Sequence, residues 1–176
     1  MADKQLDLMN YTKVMKEFLE AREWTDDLEI DPNTSVVSLG TGINIGSQSG
    51  RLIIEANNRT CIVEVFIYYE LKCKEAKRPQ MVSLLNGIHQ RWSFGRFVVF
   101  PEGHIRWQHR VDFEDANPSG KSINNIVQPG WDAVGFFADA ISAVALTKQT
   151  AEEALSEYDA AQLDSSASDV EAPSEL

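Results

Sequence analysis

The run from Thr60 to Leu71 constrains the fold of this chain more than any other segment. Its odd positions, from Cys61 to Leu71, are all apolar, and side chains two residues apart lie on one face of a β-strand. The even positions mix aromatic, aliphatic and charged side chains, a pattern typical neither of a core nor of a plain solvent surface. The sequence therefore predicts a strand with one core-facing row, which includes Cys61 as a buried hydrophobe, and one mixed face.

Apolar spacing and turn residues divide the rest of the chain into further helices and strands. The predicted elements are a helix over 3–22, strands over 35–45, 51–57 and 60–71, a helix over 79–91, strands over 95–100 and 104–113, and a long helix from Trp131. A short helix over 122–127 precedes the break expected at 128–130, and the segment 46–50 is expected to turn. Glycines at 40, 42 and 46 indicate a bent or bulged strand.

This order of elements is α-β-β-β-α-β-β-α. Consecutive antiparallel strands with the helices separated from them are typical of an α+β fold. We therefore expect an antiparallel sheet of about five strands with helices packed on it.

The negative charge of the chain is concentrated at its end. The formal net charge is -11, and the residues from Ala151 onward contain eight acidic side chains and no basic ones. We expect an α+β domain over 1–148. Over 149–176 we expect an acidic helix, started by a Thr150–Glu153 capping box, that passes at 164 into a disordered tail.

Composition and spacing also narrow the class of protein. The N-terminus lacks the apolar run of a signal peptide, and no stretch approaches the ~20 apolar residues of a membrane helix. The histidines and cysteines show no metal-ligand spacing, and no paired carboxylates or nucleophile motif emerge. We expect a cytoplasmic protein that is not an enzyme, is not associated with a membrane, and has no catalytic residues, metal or cofactor.

The hairpin predicted around residues 101–103 places arginine and apolar side chains together on one face. A three-residue loop places Val98 opposite Arg106 and Arg96 opposite Gln108, with these side chains on the face away from the core. The long strand of 60–71 can add its own outward side chains to that face. The predicted partner-binding residues are Phe66, Tyr68, Arg96, Val98, Phe100, Arg106 and Arg110.

Several interpretations of this surface remain open. An apolar patch rimmed by arginines is typical of a partner site, but arginine stems also cover apolar surface on an ordinary solvated sheet face. An anionic occupant could be an acidic peptide, nucleic acid stacked on Phe100 or Tyr68, or the protein's own tethered acidic tail. Nucleic acid is disfavoured, because the body outside the tail has 19 acidic against 16 basic residues.

The order of elements, together with features of the second half of the chain, resembles the YbjN family over most of residues 3–146. The matching residues are Leu85-Asn86, Gly95-Arg96-Phe97, Glu102-Gly103 and the closing helix from Trp131. The resemblance implies the fold of type III secretion chaperones, and a homodimeric, non-enzymatic regulator or chaperone-like adaptor that binds other proteins. The family has no catalytic residues to carry over.

Two apolar side chains, Phe136 and Leu146, lie on the weaker side of the long helix among small residues. Small residues permit close helix approach, so this side is predicted to form a homodimer interface. The alternative is that the first helix covers it. The sequence as a whole predicts an adaptor or chaperone-like regulator that docks a protein segment on the exposed sheet face. The second interpretation is a binder of nucleic acid or another anionic ligand through the arginine strip.

Overall fold

The computed structural model describes residues 10–168. The helices are α1 (Tyr11–Ala21), α2 (Arg78–Arg91), α3 (Gly120–Phe136), α4 (Ala138–Leu146) and α5 (Ala151–Ser168), with a 3-10 turn at Glu75–Lys77 before α2. The strands are β1 (Glu29–Asp31), β2 (Val36–Ile45), β3 (Gln48–Asn57), β4 (Ile62–Lys72), β5 (Arg96–Val99) and β6 (His104–Asp112).

The strands form one antiparallel sheet in the order β1-β2-β3-β4-β6-β5. This confirms the predicted α+β class, with six strands instead of about five. The additional strand is β1, whose three residues are all exposed. A short exposed edge strand has no buried row, so the apolar alternation that revealed the other strands does not mark it.

The helices pack on one face of this sheet, through α2 on β5, α3 on β2, β4 and β6, and α4 on β4. The predicted core-facing row of β4 is confirmed, because Val63, Val65, Ile67 and Tyr69 are buried. The Tyr69 hydroxyl donates to the Val134 carbonyl of α3 at 2.7 Å. We call the helix-covered side the inner face of the sheet and the opposite side the outer face.

The predicted burial of Cys61 on the inner row is wrong. The β3–β4 register ends at Asn57 opposite Ile62, so Cys61 falls in the connecting loop, with φ of +55° and partial exposure. Its carbonyl accepts hydrogen bonds from the Tyr11 hydroxyl and the Phe113 N–H. The positive φ of Cys61 directs its carbonyl towards these two donors. It also ends the alternation of inward and outward side chains along β4 at Ile62.

The boundaries of α1 also differ from the prediction. Asn10 has a non-helical backbone, and its side-chain oxygen accepts a hydrogen bond from the Lys13 N–H at 3.2 Å. An N-cap of this kind satisfies a backbone donor that a helix start leaves free, so α1 begins at Tyr11. The rest of the predicted segment, 3–9, lies outside the described residues.

The glycine-rich turn and strand were predicted incorrectly. Strand β2 pairs with β3 without a bulge from Val36 opposite Asn57 to Ile45 opposite Gln48. The turn is therefore only Gly46-Ser47, and the residues from Gln48 to Gly50 belong to β3. Gly46 has φ of +59°, a conformation that glycine adopts without steric cost in a two-residue hairpin loop.

The predicted break at Gln128-Pro129-Gly130 is also wrong, because α3 runs through it and the chain bends instead at Phe137. A proline inside a helix removes one intrahelical hydrogen bond. The buried face of α3, which includes Ile126 and Val134, offsets that loss. The apolar side of the segment from Trp131 to Leu146 faces the core, because all of its members are buried: Ala133, Val134, Phe137, Ala138, Ile141, Val144 and Ala145.

The acidic helix α5 packs on α2 and α4. The predicted capping box is present, since the Thr150 and Glu153 side chains each accept a hydrogen bond from the other's backbone N–H. Ala154 is buried, and the Tyr158 ring lies 4.7 Å from that of Phe137. The helix extends to Ser168, past residue 164, where the sequence predicts the start of a disordered tail. Residues 169–176 of that tail lie outside the described residues.

The buried Trp107 locks the hairpin of β5 and β6 onto the helices. Its ring occupies space that two glycines leave open, because a Cβ at Gly95 or at Gly130 would lie 2.3 Å from it. The Trp107 indole N–H donates to the Phe94 carbonyl at 3.3 Å. The indole thereby couples β6 to α3 and determines which side of the hairpin faces inward.

A pair of glycine substitutions in α3 tests this packing. Gly130→Ala places a methyl group against Trp107, and overpacking of this kind costs about 1–3 kcal/mol of unfolding free energy. Gly135→Ala meets open space and is expected to stabilise α3 by about 0.5–1 kcal/mol. Urea denaturation measures both, and equal effects of the two substitutions would contradict the packing described.

Candidate partner-binding face

The structure brings the predicted partner-binding residues together on the outer face. The hairpin register is confirmed, with Val98 opposite Arg106 and Arg96 opposite Gln108. On the other side of β6, Tyr68 of β4 pairs with Arg106. Every member of the predicted set keeps solvent exposure, and Arg96 and Arg110 are the most open of them. The face is therefore not sealed by any helix of residues 10–168.

The guanidinium of Arg106 lies among three aromatic rings. Its central carbon is 4.6 Å from the ring centroid of Phe66, 4.7 Å from that of Phe100 and 5.3 Å from that of Tyr68. Cation–π attraction of this kind is worth about 0.5–2 kcal/mol per contact, with the larger values where water is excluded. We call these four side chains the Arg106 cluster.

Two polar neighbours orient the guanidinium within the cluster. It donates to the Tyr68 hydroxyl at 2.7 Å and to the side-chain oxygen of Gln108. The Arg106 Nε atom is buried and has no hydrogen-bond partner within residues 10–168. Among the described residues no carboxylate lies within ion-pair distance of Arg106. The cation is thus partly desolvated without being neutralised, an arrangement that an incoming anion would stabilise.

Two more arginines stand beside the cluster. Arg110 lies 3.8 Å from Glu64, in an exposed ion pair, whereas Arg96 takes part in no ion pair within the described part of the chain. Between them is a shallow depression of about 400 Å³. Its lining residues are Glu64, Phe66, Ser93, Gly95, Arg96, Gln108, His109 and Arg110.

Strand β3 adds two residues to the outer face that the sequence analysis did not assign to the site. Ile53 pairs with Phe66, and Arg51 pairs with Tyr68. The sequence carries a signal for this, because Leu52, Ile54 and Ala56 form an alternating apolar row, which leaves Arg51 and Ile53 on the opposite face of the strand. The apolar and cationic character of the face therefore continues across three neighbouring strands.

The free edge of β5 is covered by α2. The Phe97 N–H donates to His89 Nε2 at 2.8 Å, and the Arg78 guanidinium donates to the Pro101 carbonyl at 2.6 Å. Partial burial and the positive charge of Arg96 lower the pKa of His89, which favours the neutral imidazole that accepts this bond. A partner strand that paired with β5 would first have to displace His89, so the accessible surface is the outer face and not this edge.

The described part of the acidic tail does not occupy the outer face. Helix α5 is held on α2 by Asp159, which accepts a hydrogen bond from Arg91 Nε at 2.8 Å. That hydrogen bond lowers the pKa of Asp159. The hypothesis that the tail binds the arginine strip is therefore not supported over 151–168, and the remainder of the tail lies outside the described residues.

Phe136 and Leu146 lie on the surface of the helical layer, with 52% and 68% exposure. Helix α1 does pack on α3, but through Gly120 and through hydrogen bonds from Arg22 to Asn124. The alternative that α1 covers Phe136 and Leu146 is therefore wrong, whereas their role in a dimer interface stays a prediction.

Within residues 10–168, no three His, Cys, Asp or Glu side chains are grouped as a metal site would need. Over the same range, none of the helices combines the length and apolar character that crossing a membrane requires.

Comparisons with known proteins give structural likeness only at low sequence identity. No family model matches the chain, and no curated protein matches it significantly. A chain from the structure of the HopA1–SchA chaperone–effector complex is similar with a TM-score of 0.45 and 10% sequence identity, over 70% of this chain and 89% of that one. A TM-score at this level does not establish a common fold, and the resemblance to the YbjN family stays a prediction.

The hydrogen bond from the Phe97 N–H to His89 predicts that the unfolding free energy depends on pH. The folded-state pKa is lowered from the ordinary 6.5, so the unfolded chain binds the proton more readily. The stability that His89 contributes is complete above pH 6.5 and is lost as the pH falls through that value towards the folded-state pKa.

Denaturation across this pH range, for the natural sequence and for His89→Gln, measures the contribution of the imidazole. Glutamine keeps an acceptor for the Phe97 N–H but does not titrate, so the natural sequence should lose more unfolding free energy on acidification. Parallel pH profiles for the two proteins would contradict the neutral-acceptor role.

Proposed function

We propose that this protein is a non-enzymatic, protein-binding adaptor or chaperone-like regulator that docks a segment of its partner on the outer face. The supporting observation is the Arg106 cluster, in which a partly desolvated cation is oriented by three aromatic rings and no described carboxylate neutralises it. Aromatic and arginine side chains are the residues most often found as energetic centres of protein interfaces.

A protein segment fits this face better than nucleic acid does. Stacking of bases needs free aromatic faces, and the guanidinium of Arg106 already lies over the rings of Phe66 and Phe100. The exposed arginines on the face are few, and the body of the chain has no basic excess. The binding energy is therefore expected to come from apolar burial with a small number of charge contacts.

We also propose that the protein forms a homodimer through Phe136 and Leu146. We further propose that it belongs to the YbjN family and is located in the cytoplasm. The support for the dimer is the exposure of two large apolar side chains on the helical layer, since exposed apolar surface of this kind often marks an interface. The interface lies on the side of the sheet opposite to the docking face, so a dimer would leave both docking faces available.

A double substitution tests the docking face. In affinity capture from the cells that make the protein, Phe100→Ser with Arg106→Gln should lower the recovery of face-dependent partners at least about tenfold, because interface anchors of this kind typically contribute about 2 kcal/mol or more each. Quantitative mass spectrometry of the captured proteins measures the change. Circular dichroism should stay native.

The matched control replaces an apolar and a cationic residue of the helical layer, Val82→Ser with Lys148→Gln, both of which are exposed. It should retain the partners. Equal recovery by both double variants would place the binding site elsewhere. A steep fall of affinity with salt, as phosphate neutralisation produces, would instead favour nucleic acid or another polyanion.

Sedimentation velocity tests the dimer. The natural sequence should show a monomer–dimer equilibrium, and Phe136→Glu with Leu146→Glu should shift it to monomer, because each carboxylate would be desolvated in the interface. A purely monomeric natural sequence at concentrations of about 100 µM, where typical specific interfaces are populated, would remove the dimer from the proposal.

A further inference from the structure

The outer face also indicates the chemistry of the segment that it takes. Building on the proposed docking function, we infer that the partner supplies an extended acidic segment with two carboxylates two positions apart and apolar residues around them. One carboxylate pairs with Arg106 and the other with Arg96.

The first carboxylate position follows from the Arg106 cluster. Tyr68 and Gln108 each accept one N–H from the two terminal amino groups of the Arg106 guanidinium. Each amino group keeps a second N–H that has no partner among the described residues. The surrounding rings lower the local dielectric, which strengthens an ion pair relative to one in water. The planar guanidinium is already oriented, so a carboxylate can accept hydrogen bonds from it without the loss of side-chain freedom that an exposed arginine would suffer.

The second position follows from the strand geometry. Arg96 on β5 is opposite Gln108 on β6, so it is a diagonal neighbour of Arg106, and diagonal neighbours on adjacent strands lie about 7–8 Å apart. Successive same-side residues of an extended peptide have this same spacing. Arg96 is exposed and borders the depression of about 400 Å³, whereas Arg110 is already paired with Glu64. Of the two arginines that border this depression, Arg96 is thus the available cation.

The apolar positions of the segment follow from the remainder of the face. Val98 of β5, Phe100 directly after it and Ile53 of β3 are half-buried, and they flank the two arginines on either side. Burying them further is favourable by about 25 cal/mol for each Å² of apolar surface removed from water. A segment made only of acidic residues would leave this apolar surface exposed to water. We therefore expect acidic and apolar residues to alternate along the segment.

The outer face is expected to recognise the bound segment through side-chain contacts and not through backbone hydrogen bonds to β5. Pairing with the β5 edge is obstructed by His89, which already accepts the Phe97 N–H. The face carries arginines in a chain whose formal net charge is -11, so the local charge is opposite to that of the molecule as a whole. Charge complementarity therefore distinguishes this face from the rest of the surface.

Selection from a displayed library of random segments of about 12 residues, fused at both ends so that no terminal carboxylate is free, tests the inference. Segments retained by the natural sequence and by Val82→Ser, but lost with Phe100→Ser, define the face-dependent set. We expect Asp or Glu two positions apart, among Leu, Ile, Val or Phe, to dominate that set.

Synthetic, terminally blocked versions of the selected segments then give a double-mutant cycle. Replacing the first Glu by Gln should weaken binding to the natural sequence about tenfold, and to Arg106→Gln less than about twofold. Arg96→Gln, at an exposed position that the fold does not need, should act in the same way on the second Glu.

Each outcome separates the two proposals. Face-dependent segments that lack acidic residues, or a cycle without coupling, would overturn the acidic-segment inference and leave the docking function standing. A library that yields no segment dependent on the outer face would overturn both.

Discussion

The packing of Trp107 between Gly95 and Gly130 determines which side of the β5–β6 hairpin faces the helices. Because side chains alternate along a strand, a register shift of one residue would exchange the two faces completely. The indole can be buried only on the side where both glycines leave room for it. The position of Arg106, its immediate neighbour in sequence, on the opposite side is a direct consequence of that packing.

The outer face acquires its character from this constraint. Arg106 cannot reach the helical layer, so its charge remains on the sheet and is held there by the rings of Phe66, Phe100 and Tyr68. The α2 helix meanwhile closes the β5 edge through His89. The covered β5 edge disfavours strand pairing beside the Arg106 cluster, and it favours side-chain recognition on the outer face as the means of binding a partner there.

Local rules predicted the parts of the fold in which sequence neighbours determine the outcome. The hairpin register was predictable from the loop at 101–103 and from alternation alone, and the inner row of β4 from its apolar positions. The left-handed conformation of Cys61, the bend at Phe137 and the contact of His89 with the Phe97 N–H all depend on distant segments. The periodicity of a single sequence does not indicate contacts between distant segments. The covering of the β5 edge by α2 and the contribution of β3 to the site were therefore identified only in the structure.

The central claim is that the Arg106 cluster is the point at which a partner is bound. Side-chain Nε–H resonances of arginine, followed by nuclear magnetic resonance during titration with a captured or selected segment, test it most directly. The account predicts that the Arg106 resonance shifts, together with the backbone amides of β4, β5 and β6. Shifts confined to α2, α4 and α5, with Arg106 unchanged, would contradict it.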